Sequence, residues 1–312
     1  MKYFGIDLSN LLRVGLLGKE HLVPPRMHFT RRTSEHIMYI MTEGELYLKV
    51  DGECANLRAG DIFIFESGCF QQALKSTDCR YYYIHFYSDA FESFNESEEK
   101  YYETIKSEKT QFLKANPFGE KKYNYLRVFL KEHYVITDKG FFDYVINVLE
   151  NNMISGALNE PARRLEISST VMNLFFKLES HYFDKLSKNN LSGKIYNTAL
   201  TIANYINENY ANDFTSKDIE QKFFLNFDYA NRIFKKITGL SIIKYRNLLR
   251  LNVVKTKIQT SNKSLEEICY EVGFSDKHYF SRLFKKSEGI SPSEYKKRVL
   301  RDTILKGEGN DL

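Results

Sequence analysis

Arg232, Lys235 and Lys236 return fifty residues later as Arg282, Lys285 and Lys286. On a helix the spacing i, i+3, i+4 puts one guanidinium and two ammonium groups on a single turn-and-a-bit of surface. Such a set has no proton to move at neutral pH and no nucleophile. Its chemistry is the holding of anions, phosphate above all, and the forked recognition of a guanine edge by arginine. Around the first set stand Asp228 and Asn231, and around the second Lys277, His278 and Ser281, which have the hydrogen-bonding groups that read base edges. The repetition goes further. Tyr229, Arg232, Phe234, Lys235, Lys236, Gly239, Ser241 and Tyr245 recur as Tyr279, Arg282, Phe284, Lys285, Lys286, Gly289, Ser291 and Tyr295, eight identities at one spacing of 50. One basic helix alone reads as a solvated face; two in fixed register oppose that reading.

The elements that must position these groups are short helices. Asn226 and Asp276 stand where helix N-caps belong. Upstream of them lie amphipathic stretches at Ser216–Phe223 and Leu265–Glu271, and Gly273 supplies the second turn. Two short helices joined by a tight turn form a helix-turn-helix unit, used here twice. Ile233, Phe234 and Ile237, and likewise Phe280, Leu283 and Phe284, fall on the inward face; the polar residues named above fall outward. Tyr245, Leu248, Leu251, Val254 and Ile258 mark a connecting helix over Ile242–Gln259, roughly 27 Å long. Major grooves on one face of a duplex recur about every 34 Å, so a rod of that length suits two recognition helices in successive grooves.

Ile268, Val272-Gly273-Phe274, Tyr279-Phe280-Ser281-Arg282, Phe284-Lys285-Lys286, Gly289, Ser291-Pro292 and Tyr295 closely resemble the second half of the AraC/XylS-type DNA-binding domain, and the first copy resembles its first half. The likeness covers about residues 195–298, with departures mainly in the first copy at Phe227 and Ala230. It implies a sequence-specific transcription regulator that meets double-stranded operator DNA and responds to a small effector held in an N-terminal barrel. It also implies a homodimer, and RNA polymerase is a further expected partner. Arg232 and Arg282 are the first candidates for phosphate or guanine contacts. Asn231, Lys277, His278 and Ser281 are candidates for base edges, Asp228 shares the outward DNA-binding face, and Lys235, Lys236, Lys285 and Lys286 suit phosphates.

Charge distribution agrees. Of 312 residues, those from 195 onward hold 20 Lys and Arg against 14 Asp and Glu, so the net charge of +5 comes wholly from the C-terminal part. That length favours two domains over one core. The first twenty residues, interrupted by Asp7, Asn10 and Arg13, contain no signal-peptide run, and no stretch approaches a membrane span. A cytoplasmic protein is expected. Cys54, Cys69, Cys79 and Cys269 form no C-x-x-C pair and suit reduced thiols; a sensing pair of Cys54 with Cys79 is the sharper alternative to apolar filling.

Between His28 and Tyr87 the pattern alternates with a period of two. His36–Met41, Glu45–Val50, Asp61–Phe65 and Arg80–Tyr87 read as strands, with turns at Glu43-Gly44, Asp51-Gly52 and Ala59-Gly60-Asp61. Closely spaced antiparallel strands indicate a small barrel or jelly roll. Gly60 followed by Glu66-Ser67-Gly68-Cys69-Phe70-Gln71 resembles the second cupin motif. Glu66 replaces the usual proline and Gln71 the metal-binding histidine, and His36 has no histidine two positions on. The expectation is therefore no metal and no cofactor. The contrasting enzyme reading, a cupin isomerase or dioxygenase with a helical appendage, needs histidines and carboxylates that the sequence does not bring together. A metal-free barrel mouth still makes a pocket. Tyr39, Tyr47, Tyr81 and Tyr83 with Arg31, Arg32, Glu43 and Gln71 would offer aromatic faces and hydrogen-bonding tips suited to a polyhydroxylated effector such as a sugar.

Residues 91–190 read as helical, with one stretch at Phe141–Val148 and a longer one at Leu165–Leu186 preceded by Pro161. In the latter Ile167, Val171, Leu174, Leu178 and Tyr182 form a stripe that either covers the barrel or pairs with a second subunit, and dimerisation through it is the expectation. The polar run Ser187–Gly193 is the natural join, and Asp302–Leu312 reads as a polar tail. The expected fold class is α+β: a cupin-like effector barrel over 1–92, a helical connector over 93–190, an all-α double helix-turn-helix domain over 191–300, and a tail over 301–312.

Overall fold

The computed structural model describes residues 1–114, 126–153, 160–188 and 191–307. In chain order the strands and helices are β1 (Lys2–Asp7), β2 (Arg13–Leu22), β3 (Arg31–Arg32), β4 (His36–Val50), β5 (Glu53–Arg58), β6 (Asp61–Phe65), β7 (Phe70–Ala73), β8 (Cys79–Tyr87), β9 (Phe91–Asn95), α1 (Glu98–Lys114), β10 (Arg127–Lys131), β11 (His133–Val135), α2 (Lys139–Met153) and α3 (Pro161–Lys188). There follow α4 (Leu191–Asn209), α5 (Ser216–Phe223), α6 (Phe227–Thr238), α7 (Ile242–Thr260), α8 (Leu265–Glu271), α9 (Lys277–Glu288) and α10 (Pro292–Gly307). The chain divides into two compact units, Met1–Ile105 with Tyr123–Leu186, and Lys106–Lys122 with Ser187–Leu312. The fold is mixed: a sheet-rich first unit and a helical second one.

In the first unit β4 is the hub of an antiparallel sheet. It pairs with β5, β6, β7 and β8; β8 in turn pairs with β2, β6 with β11, and β7 with β3. A smaller antiparallel sheet has the order β10-β1-β9. The continuity of β4 corrects the turn expected at Glu43-Gly44. Gly44 lies within one 15-residue strand, at φ 71°, where a Cβ would meet the Asp78 carbonyl oxygen at 2.1 Å. The residues expected to be wholly helical beyond 92 also differ, because β10 and β11 return to pair with β1 and β6. They carry buried Val128, Phe129, Leu130 and Tyr134, a burial that ties them to the first unit.

A register skip in β4 decides which side chains share a face. Met41 opposes Tyr81 but Glu43 opposes Arg80, so Thr42 is an extra residue in the ladder. Before it, Ile37, Tyr39 and Met41 face inward; after it, Leu46 and Leu48 do, and all five belong to one core with Leu57, Phe63, Phe65 and Tyr81. The other face of the sheet carries Met38, Ile40, Ile62, Ile64, Ile84 and Phe86, all buried. Helix α3 covers it: the Phe86 and Phe175 rings lie 5.3 Å apart, and Glu179 Oε1 accepts from the Phe129 N–H at 2.9 Å. Ile167, Val171, Leu174, Leu178 and Tyr182 are thereby all buried within the chain, which corrects the expectation that this stripe faces a second subunit. Each such aliphatic or aromatic side chain contributes about 1.5–3 kcal/mol when fully buried. Of the thiols, Cys79 is buried and Cys54 exposed.

In the second unit the helix boundaries follow their caps. Thr215 and Ser264 form capping boxes with Asp218 and Glu267 at the starts of α5 and α8. Asn226 caps α6 by accepting from the N–H groups of Asp228 and Tyr229, and Asp276 caps α9 through those of His278 and Tyr279. Helices α6 and α9 end on left-handed Gly239 and Gly289. The two turns part company. In the second, Gly273 has φ 93°, and a Cβ there would meet the Ala211 carbonyl oxygen at 2.2 Å. In the first the left-handed residue is Phe224, φ 53°, a conformation costing roughly 1–2 kcal/mol for a residue with a Cβ. Helix α7, about 28 Å long over its 19 residues, is buried on nearly every side rather than standing as a bare rod. The last helix runs to Gly307, into the expected tail; residues 308–312 of that tail, and 189–190 of the expected join, lie outside the described residues.

Candidate nucleic-acid interface

Helices α6 and α9 each turn one face to the core and one to solvent. Ala230, Ile233, Phe234 and Ile237 hold the first down, Phe280 and Phe284 the second. Asp228, Arg232, Lys235 and Lys236 are exposed on α6, and Lys277, His278, Ser281, Arg282, Lys285 and Lys286 on α9. The Arg232 guanidinium lies 5.3 Å from the centre of the Tyr229 ring, which orients it without neutralising it. Lys277 meets Glu266 at 2.8 Å, but both side chains are about half exposed, so the pair is weak and exchangeable. The Asp276 carboxyl is held below its ordinary range by the N–H groups of Tyr279 and His278, which keeps it an anionic cap at the N-terminus of α9.

Asn231 departs from its expected role. It is half-buried, and its side-chain oxygen accepts from the Ile242 N–H at 3.0 Å, satisfying an orphan donor in the first turn of α7. The equivalent position in the second copy is Ser281, and the equivalent of Ile242 is Pro292, which has no N–H to satisfy. Asn231 is thus a fastening between α6 and α7, while Ser281 remains exposed.

Sequence reasoning overlooked two arginines that fasten the unit from within. Arg246 donates to the Phe214 carbonyl at 3.1 Å, and Arg250 donates to those of Tyr210 and Asn212 at 2.6 and 3.0 Å. Both are buried on α7, and burial pushes their pKa values down, that of Arg250 to about 10 with the Arg246 charge beside it adding to the shift. Asn247 Nδ2 donates to the Tyr279 hydroxyl at 2.9 Å and so anchors α9 on the same helix. The signal was present in the sequence: Arg246 and Arg250, one helical turn apart, flank the apolar stripe of Tyr245, Leu249 and Leu251.

The inner face of the first unit's sheet brings part of the expected effector set together. Tyr39, Tyr81 and Gln71 are buried there and Tyr83 packs against them, with ring centres 4.9 Å apart for Tyr39 and Tyr81 and 6.5 Å for Tyr81 and Tyr83. Arg31 is the direct cross-strand partner of Gln71. Gln71 is 0% exposed, and neither its amide nitrogen nor its oxygen has a hydrogen-bond partner among the described residues; the same holds for Arg31 Nε. Each such orphan costs about 1–3 kcal/mol. His28, which sequence reasoning did not single out, joins the group, its Nε2 2.9 Å from the Tyr39 hydroxyl. Burial pushes His28 down to about 4, leaving it neutral, and raises the Tyr39 and Tyr81 hydroxyls, which stay protonated.

Tyr47 and Glu43 do not join this group. The extra residue Thr42 reverses the alternation, so Tyr47, which would share a face with Tyr39 in an unbroken ladder, alternates with inward Leu46 and Leu48. Its hydroxyl bonds Glu45, and the Lys75 ammonium lies 3.5 Å from its ring centre. Glu43 is exposed and accepts from Arg80 at 2.9 and 3.0 Å. Arg32, also exposed, donates to the Gly68 carbonyl. Among the described residues no three His, Cys, Asp or Glu side chains are placed to share a metal ion.

Residues 221–298 match the family described as a helix-turn-helix domain. Over 276 residues the chain is 25% identical to the uncharacterized HTH-type transcriptional regulator YisR of Bacillus subtilis, covering 88% of this chain and 90% of that one. It is 28% identical to the raffinose operon transcriptional regulatory protein RafR of Pediococcus pentosaceus, covering 86% of each. Over 93 residues it is 32% identical to the melibiose operon regulatory protein of Escherichia coli, covering 30% of this chain and 31% of that one. No helix of the described residues is long and apolar enough to cross a membrane.

Proposed function

We propose that this chain, a DNA-binding transcription regulator with an AraC-type helix-turn-helix domain, grips operator DNA with α6 and α9 in successive major grooves. The observation that carries this reading is the pair of like basic faces, Arg232, Lys235 and Lys236 on one helix and Arg282, Lys285 and Lys286 on the other, all exposed. Lys277, His278 and Ser281 reach base edges, with Asp228 at the start of α6 beside them. Asn231 acts indirectly, by fixing α6 on α7. The partner is double-stranded DNA, and RNA polymerase is contacted at the promoter. The chain acts without catalysis, in the cytoplasm, as a homodimer whose interface lies elsewhere than the covered stripe of α3.

The first unit is the effector domain, a cupin-type barrel without metal. Its ligand reaches Gln71, Arg31, Tyr39, His28, Tyr81 and Tyr83, and hydroxyl groups of a sugar supply the partners that the Gln71 amide and Arg31 Nε lack. The operon names of two relatives, raffinose and melibiose, support the same ligand class. Effector binding changes the population of two arrangements of the dimer, so only a ligand that favours one of them switches transcription.

The test has two arms. Selection of duplexes from a random pool by the full chain is expected to enrich one sequence family, with Arg282→Ala relaxing the preference at one base pair; no enrichment contradicts the reading. Thermal denaturation of the full chain with raffinose, melibiose and simple hexoses is expected to show stabilisation that Gln71→Leu abolishes. Equal stabilisation of the Gln71→Leu variant contradicts the assigned site.

A further inference from the structure

Phe224 is 92% exposed, the most exposed of the large apolar side chains among the described residues, and it sits in the turn between α5 and α6 with a left-handed backbone. Among the described residues no ring or cation packs on its phenyl group. In the second copy the corresponding turn uses Gly273, whose missing Cβ the Ala211 carbonyl requires. At Phe224 a glycine or asparagine would hold the same backbone with less strain and no exposed ring. Phe223 beside it points the other way and packs on the Tyr205 ring, with centres 5.7 Å apart. Phe224 therefore costs stability twice, its Cβ through backbone strain and its ring through exposed apolar surface.

The surroundings indicate what covers it. The other exposed side chains near it in sequence are Gln221, Lys222, Asn226, Asp228 and Tyr229, the last with its ring under the Arg232 guanidinium, while Leu225 and Phe227 are half-buried. A protein partner would call for a contiguous apolar patch around such a ring. An exposed ring among polar and charged side chains, two residues before the cap of a recognition helix, suits instead the edge of a nucleic-acid strand. There apolar sugar carbons alternate with phosphates.

We infer that Phe224 lays its ring against deoxyribose of the strand flanking the groove that α6 enters, a contact independent of base sequence. This rests on the reading that α6 faces DNA. The experiment compares the full-length wild type with Phe224→Gly, Phe224→Tyr and Lys235→Ala on a duplex of about thirty base pairs of arbitrary sequence, across a salt series. Phe224→Gly is expected to bind about tenfold more weakly, roughly what covering 60 Å² of ring is worth. Its Tm should be unchanged or raised, and the slope of log affinity against log salt should stay at the wild-type value, because no charge is lost. Phe224→Tyr should restore affinity, and Lys235→Ala should instead lower the slope by about one.

Unchanged affinity of Phe224→Gly overturns the inference, as does a loss of affinity that comes with a lowered Tm. If affinity holds but promoter activation by purified polymerase falls, the ring meets protein rather than DNA and the inference fails in that form. Failure of the wild type itself to bind any duplex would sink the DNA reading, not merely the role of Phe224.

Discussion

The two helix-turn-helix copies agree in what they present and differ in how they are fastened. From the caps onward they share eight identities at a spacing of 50 residues, which include Arg232, Lys235 and Lys236 with Arg282, Lys285 and Lys286. The fastenings diverge, beginning with the turns, where the left-handed residues Phe224 and Gly273 lie 49 rather than 50 residues apart. One turn is closed by a glycine pressed on a carbonyl, the other carries a phenylalanine in the open. One following helix begins with an N–H that Asn231 must satisfy, the other with a proline that needs nothing. One repeated tyrosine supports an arginine, and the other is held by Asn247. A sequence repeat therefore identifies the presented surface more reliably than it identifies the role of each residue behind it.

That contrast can be broken or sharpened by substitution. The largest effect belongs to Gly273→Ala, which forces a Cβ against a backbone oxygen at a left-handed φ and should cost about 3 kcal/mol or more in chemical denaturation. Phe224→Gly, in the other turn, should cost nothing. Next come Arg282→Ala and Arg232→Ala, each expected to weaken selected duplexes by about 1–3 kcal/mol in a binding titration. If only one of the two matters, the copies are not equivalent readers. Asn231→Ala should then destabilise the fold by about 1 kcal/mol by orphaning the Ile242 N–H, against less than about 0.5 kcal/mol for Ser281→Ala. Equal costs would remove the distinction drawn between those positions. The smallest effect is that of single lysines: Lys236→Ala and Lys286→Ala should each lower the salt slope of DNA affinity by about one and leave stability unchanged.

The helical unit was far more legible in the sequence than the sheet unit, for a physical reason. Caps, turn glycines and three- or four-residue spacing are local signals, and they placed α5 and α8 at their observed bounds and α7 within one residue. Strand pairing is not local. A single extra residue at Thr42 reversed the faces of everything after it in β4, which separated Tyr47 from Tyr39 although both are odd-numbered tyrosines of one strand. Strands β1 and β2 lacked clear alternation, and β10 and β11 were hidden among helices because their partners lie far back in the chain. Of the effector set, Arg31, Tyr39, Gln71, Tyr81 and Tyr83 gather on one face; His28 belongs with them but carried no motif. On α3 the apolar stripe did not show whether it would meet the sheet or a second subunit, and on α6 outward periodicity could not show that a neighbouring helix start would claim the Asn231 side chain.

Hydroxyl-radical footprinting of the full chain on a duplex it has selected addresses the two-grip geometry most directly. Two grips in successive grooves should leave two protected patches per protomer on one face of the duplex, about one helical turn apart, with Arg232→Ala erasing one of each pair and Arg282→Ala the other. A single patch per protomer, or loss of both on either substitution at saturating protein, would contradict it.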